Sequence, residues 1–336
     1  MRLFFTRVEL ALMVAGAAYA PSQAGTITFG SGGNQFDMEF VTIGNPNNAA
    51  DTTGAPNSAG AVGYEYGIGK FEVSRDMITK YNANYGTANN LAITLYDMES
   101  DGIVGGNGAN RPATGISWNE AARFVNWLNT STGNQAAYKF TNTGVNDNID
   151  VWTSADTADY DSSNPYRSIR AKYFLPSYNE WYKAAYYDPN TSAYYDYTTG
   201  SDSAPTAVAS GMTAGTAVYD FQSGPADVTQ AGGLSPYGVM GLGGNASEWE
   251  ESSGNLVNSS GSSSRGRRGG NWFNVSDVLS SSTRGSRLPS SENVSVGFRV
   301  ASLSSSAPPA VPEPSMMVIG TLFGLGGLMA KRRMKK

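Results

Sequence analysis

Phe36, Met38 and Phe40 alternate with Asp37 and Glu39, which sets apolar side chains on one face and acids on the other, the period of a half-buried strand. A second alternation runs through Tyr64, Tyr66 and Ile68, breaks near Gly69-Lys70 and resumes at Phe71 and Val73. Ser74 is placed to cap a short helix through Met77, Ile78 and Tyr81. Two stronger helix starts are Ser117-Trp118-Asn119-Glu120 and Ser177-Tyr178-Asn179-Glu180, where serine and glutamate three apart can each satisfy a free backbone N–H. After the first, Trp118, Ala121, Ala122, Val125 and Leu128 recur at helical spacing. Residues 141–167 carry Asp, Asn and Ser without a period and predict an irregular insertion. The rest is short apolar runs punctuated by Gly, Ser and Asn. The pattern predicts an α+β body of short strands and two or three short helices in which loops dominate.

Composition sharpens this picture. Forty Gly and 15 Pro among 336 residues leave little room for long helices, while 40% hydrophobic and 11% aromatic residues supply a core. Cysteine and histidine are absent altogether. That excludes disulfides, thiolate nucleophiles, Ser-His-Asp and Cys-His catalysis, and zinc or iron sites built on Cys or His. Carboxylate, Lys or Tyr chemistry and oxygen-ligand metal binding survive the subtraction.

The two ends read as addresses. Arg2 and Arg7 precede an apolar run from Leu10 to Ala20, the charged and apolar regions of a secretory signal peptide, and too short to span a bilayer. Ser22-Gln23-Ala24 is the better cleavage site, because Pro21 spoils Ala18-Tyr19-Ala20; residues 1–24 are then the signal and the mature chain starts near Gly25. At the other end, residues 302–310 form a Ser/Ala/Pro spacer. Residues 311–336 follow with Pro312-Glu313-Pro314, fifteen mostly apolar residues from Met316 to Ala330, and a basic tail from Lys331 to Lys336. In parts and order this resembles the PEP-CTERM sorting signal of Gram-negative bacteria. The resemblance implies cleavage near Pro312-Glu313-Pro314 by an exosortase, a transient hold in the inner membrane by a short transmembrane segment, and a final place at the cell surface or in the extracellular matrix. An ordinary tail anchor is the alternative. Without both ends the body keeps 16 basic and 26 acidic residues, near −10, which argues against a nucleic-acid binder.

Between the addresses, residues 25–301 read as one domain. Five blocks in it resemble the sulfatase-modifying factor, or formylglycine-generating enzyme, family. They are Tyr66 to Val73; Ile116-Ser117-Trp118; Leu175 to Trp181; Ser235-Pro236-Tyr237-Gly238 through Gly244-Asn245-Ala246-Ser247-Glu248-Trp249; and Arg268-Gly269-Gly270-Asn271-Trp272 closing with Gly297-Phe298-Arg299. The resemblance implies a loop-rich, C-type-lectin-like fold. The family's catalytic members hold copper on two cysteines four and nine residues beyond the Gly-Gly. Those positions are Asn274 and Leu279 here, so the resemblance implies the scaffold without copper or its oxidation chemistry. It also implies Ca²⁺ at the Gly-Asn-x-x-Glu segment, matched by Gly244, Asn245, Ala246 and Glu248. A buried acid tying the loop together without metal is the other reading of Glu248.

Six arginines crowd the last part of the body: Arg265, Arg267, Arg268, Arg284, Arg287 and Arg299. With Trp272, the set Arg265, Arg267, Arg284 and Arg287 reads as a groove for an acidic ligand such as a carboxylated exopolysaccharide. The alternative is that such arginines pin loops to carbonyls and acids in the core. Tyr186, Tyr187, Tyr194, Tyr195 and Tyr197 offer either sugar stacking or plain packing. Glu248, Glu250 and Glu251 leave open an extracellular enzyme acting on glycan or peptide through carboxylates, and a purely structural matrix protein is the third possibility. The reading that unites these features is an exported, exosortase-processed surface or matrix protein with a non-catalytic, ligand-binding module.

Overall fold

A computed structural model describes residues 25–303. The leader, most of the spacer and the sorting signal lie outside these residues. No helix among the described residues is long and apolar enough to cross a membrane.

The chain opens with β1 (Gly25–Phe29), β2 (Phe36–Ile43) and β3 (Tyr66–Gly69), followed by helix α1 (Arg75–Tyr81) and the longer α2 (Trp118–Ser131). A short β4 (Tyr173–Phe174) leads into α3 (Tyr178–Tyr186). Two small pairs come next, β5 (Tyr187–Asp188) with β6 (Ala193–Tyr194), and β7 (Thr206–Ala207) with β8 (Thr216–Ala217). The last part supplies β9 (Ser247–Ser253), β10 (Arg265–Arg268), β11 (Gly285–Arg287), β12 (Val296–Gly297) and β13 (Ala301–Leu303). Residues 141–167 contain no helix or strand, as their lack of period predicts.

Two sheets organise the body. One runs β1-β2-β3-β13-β4 and is antiparallel throughout; the other runs β11-β10-β9-β12, with β12 parallel to β9. The first half of β2 alternates as the sequence predicts: Phe36, Met38 and Phe40 join the main core with Trp118, Phe124 and Leu128 of α2. Its second half is buried on the opposite face as well, because Val41 and Ile43 pack under Trp181, Tyr182 and Ala185 of α3. β3 ends at Gly69, where the alternation breaks. Ser302 and Leu303 pair with Gly67 and Tyr66 and therefore belong to the folded sheet rather than to the spacer that their composition suggests. Strand pairing uses backbone groups, so a Ser/Leu segment pairs with β3 as well as an apolar one would.

Both capping boxes form. Ser117 and Ser177 each accept from the glutamate N–H three residues on, and Glu120 and Glu180 each accept from the serine N–H. Ser74 caps α1 through the Met77 N–H. Elsewhere side-chain amides replace missing ladders: Asn129 accepts from the Lys172 and Tyr173 N–H groups and donates to the Tyr173 carbonyl, fastening α2 to β4. Buried backbone groups must be paired, and asparagines do this where regular structure is sparse.

Candidate functional site

Every position of β9 is buried, yet three of its residues are glutamates. Each has its own arginine partner. Arg299 donates to both oxygens of Glu248 at 2.6 Å and spends its remaining donors on the Gly69 and Met240 carbonyls at 2.8 Å. Glu250 accepts from Arg268 and from Arg284, both at 2.8 Å. Glu251 is gripped by Arg167, which also forks onto Glu180 at the head of α3 and lies 3.6 Å over the Phe174 ring. A buried carboxylate is tolerable only when paired and hydrogen-bonded, and this pairing welds the second sheet to α3 and to residues 161–174. None of the three acids faces a cleft, so none is placed as a hydrolytic carboxylate.

The segment expected to hold calcium is part of the same fastening. Glu248 also accepts from the Trp181 indole N–H at 2.7 Å, its third hydrogen bond from a guanidinium or ring donor. Asn245, in the left-handed region at φ 58°, donates to Glu72 at 2.6 Å and accepts from the Ala226 N–H. The Ala246 N–H donates to Glu72 as well. Gly244 has φ 83° and a Cβ there would stand 2.3 Å from the Val218 carbonyl oxygen, so only glycine fits. The side chains of this segment are therefore engaged by protein partners: a cation at Glu248 would meet the Arg299 guanidinium, and the Asn245 amide oxygen already accepts from the Ala226 N–H. Glu72 carries no arginine of its own. Burial, then the charge of Glu248, pushes its carboxyl up to about 8.

The expected acidic-ligand set separates in the same way. Arg265 is fully buried between Trp118 and Tyr166, 4.3 and 4.1 Å from their ring centroids, and donates to the Gly261 and Ser263 carbonyls. Burial brings its guanidinium down to about 10. Arg284 is tied to Glu250 and to the Ser253 and Gly254 carbonyls. Neither can reach a ligand: Arg265 is buried between two rings, and the donors of Arg284 are spent on Glu250 and two carbonyls. Arg267 is half-buried and Arg287 exposed, and no carboxylate lies within ion-pair distance of either among the described residues. Trp272 is buried too, with Met98, Val218 and Ala226. The tyrosine-rich stretch is largely packing: Tyr182 meets Tyr186 at a tilt, centroids 4.8 Å apart, and Tyr187 meets Tyr194 edge to face at 5.0 Å.

An open groove does exist beside the Gly-Gly turn. Gly269 and Gly270 take φ 90° and 70°, and side chains there would meet the Leu242 carbonyl oxygen at 2.5 Å and Leu279 at 2.8 Å. The turn swings the chain out of β10 into the loop that carries Asn274 and Leu279. Leu279 is buried against Gly270, and its carbonyl accepts from the Tyr186 hydroxyl. Asn274 accepts from the Asn271 N–H with its side chain and from the Asp220 N–H with its carbonyl. A second link, from the Gln222 N–H to the Trp272 carbonyl, holds the 220–222 segment against the loop.

The resulting groove, of about 500 Å³, is lined by Asp101, Ile103, Phe221, Phe273, Asn274 and Ser295, among others. Phe221 and Phe273 are each 59% exposed and meet edge to face, centroids 4.9 Å apart. Asp220 and Phe221 both sit at positive φ, 67° and 57°, which is costly for a side chain as large as phenylalanine. Sequence pattern alone does not select Phe221. Phe273 leaves a trace, since Trp272 and Phe273 are adjacent in a loop and two consecutive bulky rings seldom both point inward.

The fold has relatives among solved structures. Treponema denticola variable protein 1 superposes with a TM-score of 0.55 at 20% identity, covering 85% of this chain and all of that one. CarF superposes at 0.55 and 18% identity, covering 80% of this chain and 98% of that one. At these identities the likeness concerns the fold. A comparison with curated protein sequences finds no match. Residues 22–303 match the model of the sulfatase-modifying factor enzyme 1-like domain, and the chain belongs to that family.

Proposed function

We propose that this is an exported, exosortase-processed protein of the cell surface or extracellular matrix, whose family scaffold serves as a non-catalytic saccharide-binding module. The observation that carries the reading is the groove beside the Gly-Gly turn. The residues at the family's two catalytic cysteine positions are Asn274, held in the turn, and Leu279, buried in packing. The groove next to them presents two exposed, mutually braced aromatic rings. Rings held open to solvent offer flat apolar faces to the C–H faces of sugars, and a strained backbone that keeps one ring outward is a feature found at binding sites. Export and processing rest on the leader and on the Pro312-Glu313-Pro314 tail.

A glycan array probed with the full chain, wild type and a Phe221→Gly/Phe273→Ser variant, tests the module. Saccharide binding lost in the variant supports it. Oxidation of a cysteine-bearing peptide by the wild-type chain with added copper overturns the non-catalytic reading. Binding to no saccharide favours a purely structural role in the matrix.

A further inference from the structure

We propose that Arg267 and Arg287 form an oxyanion site beside the Phe221–Phe273 groove, and that it takes the carboxylate or sulfate ester of an acidic saccharide. This rests on the groove reading above and adds the charge of the ligand.

Of the six arginines between 265 and 299, Arg265 is stacked and bonded to carbonyls, while Arg268, Arg284 and Arg299 each hold a buried glutamate. Arg267 and Arg287 are left. In the β10–β11 register Arg265 stands opposite Arg287 and Arg267 opposite Gly285, which makes Arg267 and Arg287 diagonal neighbours on one face. Two cations are thus set side by side in a body that is acidic overall. Burial first, and Arg287 second, pull the Arg267 guanidinium down from its ordinary value. An anion between the two relieves both effects.

The geometry around Arg267 leaves its fork open. Its buried Nε–H has no acceptor, and Nη1 makes only a 3.4 Å contact with the Ser247 hydroxyl. The Arg267 side chain packs over Gly285, where a Cβ would lie 3.2 Å from Nε, so the buried Nε–H faces the protein and the outer N–H groups are the ones left for a ligand. A planar guanidinium with free N–H groups suits the two oxygens of a carboxylate or sulfate better than an ammonium would.

The site connects to the groove. Arg267 touches Ser247, the Ser247 N–H donates to the Ser295 carbonyl, and the Ser295 hydroxyl accepts from the Asn271 amide. Ser295 and Asn271 both line the groove that carries the two phenylalanines. These bonds pass through buried Ser247 and set Arg267 behind the Ser295 wall of the groove; in the proposed arrangement a saccharide ring lies on the phenylalanines and its acidic substituent turns toward the arginines.

Calorimetric titration of the full chain in detergent micelles with oligogalacturonate, dextran sulfate and neutral dextran tests this. The expected result is at least tenfold tighter binding of one anionic probe than of dextran, a margin erased in Arg267→Gln/Arg287→Gln with dextran binding unchanged. Which probe shows the margin tells carboxylate from sulfate. Arg287→Glu alone, on an exposed side chain, reports the same loss should the double variant fold poorly. Dextran binding without an anionic margin, or a margin that survives both substitutions, overturns this inference alone. No binding of any probe overturns the groove reading with it.

Discussion

Arg299 meets both oxygens of Glu248 at 2.6 Å in a pair that excludes solvent completely, joining β9 to the segment between β12 and β13. Removing one partner leaves the other as an unpaired buried charge. Glu248→Gln is expected to destabilise the protein by ~3–5 kcal/mol, read as a drop in the denaturant midpoint. Replacing both partners, Glu248→Gln with Arg299→Met, should cost less than Arg299→Met alone. A double variant as unstable as the sum of the singles would show that the two side chains act independently.

The same pair bears on calcium. With the charge of Glu248 met by Arg299 and its Oε2 also held by Trp181, a chelator should leave the thermal midpoint of the wild type unchanged. A ligand that binds only the folded state must raise that midpoint. A fall of several degrees on adding EDTA, restored by excess Ca²⁺, would mean that a cation is held by other oxygens of the fold.

Glu72 gives the protein a pH dependence of known sign. Its carboxyl ionises near the ordinary 4.5 when unfolded and near about 8 when folded, because burial and the Glu248 charge outweigh the two hydrogen bonds it accepts. Between those values the folded state holds a proton that the unfolded state has lost, so stability falls as pH rises through the window. Glu120, pushed up to about 7 by burial, acts in the same direction. Glu72→Gln mimics the protonated form. It should flatten the fall between pH 5 and 8 by on the order of 3 kcal/mol, measured by urea denaturation at several pH values. An identical slope in variant and wild type would place the proton elsewhere.

What the sequence disclosed and what it withheld divide along sequence separation. The helix starts at Ser117 and Ser177 were readable because a capping box needs only three residues and uses local backbone geometry. The alternation of β2 was readable for the half that faces α2, and lost at Val41, where α3 covers the second face. Glu251 and Arg167 stand 84 residues apart, and nothing in either neighbourhood marks them as partners. Likewise six clustered arginines look alike in sequence, although Arg265 points between two aromatic rings and Arg287 into solvent. Trp272, the ring that the sequence offered for a ligand, is buried while its neighbour Phe273 is exposed, because the turn and not the size of the ring decides which of the two faces out. The two phenylalanines themselves lie 52 positions apart, beyond the reach of any local pattern.

That difference among the arginines is itself measurable. Arg265→Lys keeps the charge but loses the flat stack between Trp118 and Tyr166 and the fork to two carbonyls. It should cost ~1–3 kcal/mol, since a buried ammonium is more strongly hydrated and matches neither ring nor carbonyl geometry. Arg287→Gln should stay within ~0.5 kcal/mol of wild type, as surface substitutions do. Equal effects of the two changes on the denaturant midpoint would contradict the placement of Arg265 in the core.

In the proposed saccharide groove, Phe221 is the residue at which binding and backbone strain meet. A phenylalanine at φ 57° preceded by an aspartate at φ 67° keeps its ring in the groove by holding an unfavourable backbone. Tight pairing through Asp220 to Asn274 and Gln222 to Trp272 enforces it from both sides. Glycine adopts that conformation freely, and the ring is too exposed to contribute much burial, so Phe221→Gly should be neutral to ~1 kcal/mol stabilising. Removal of a functional side chain that raises stability is the signature of a residue kept for its contacts with a ligand. The same variant should bind saccharide at least tenfold more weakly, because Phe273 loses the edge-to-face partner that braces it. Stability and affinity measured on one preparation separate the possibilities: a variant that loses stability shows the ring to be structural, and one that keeps its affinity shows that the groove binds without it.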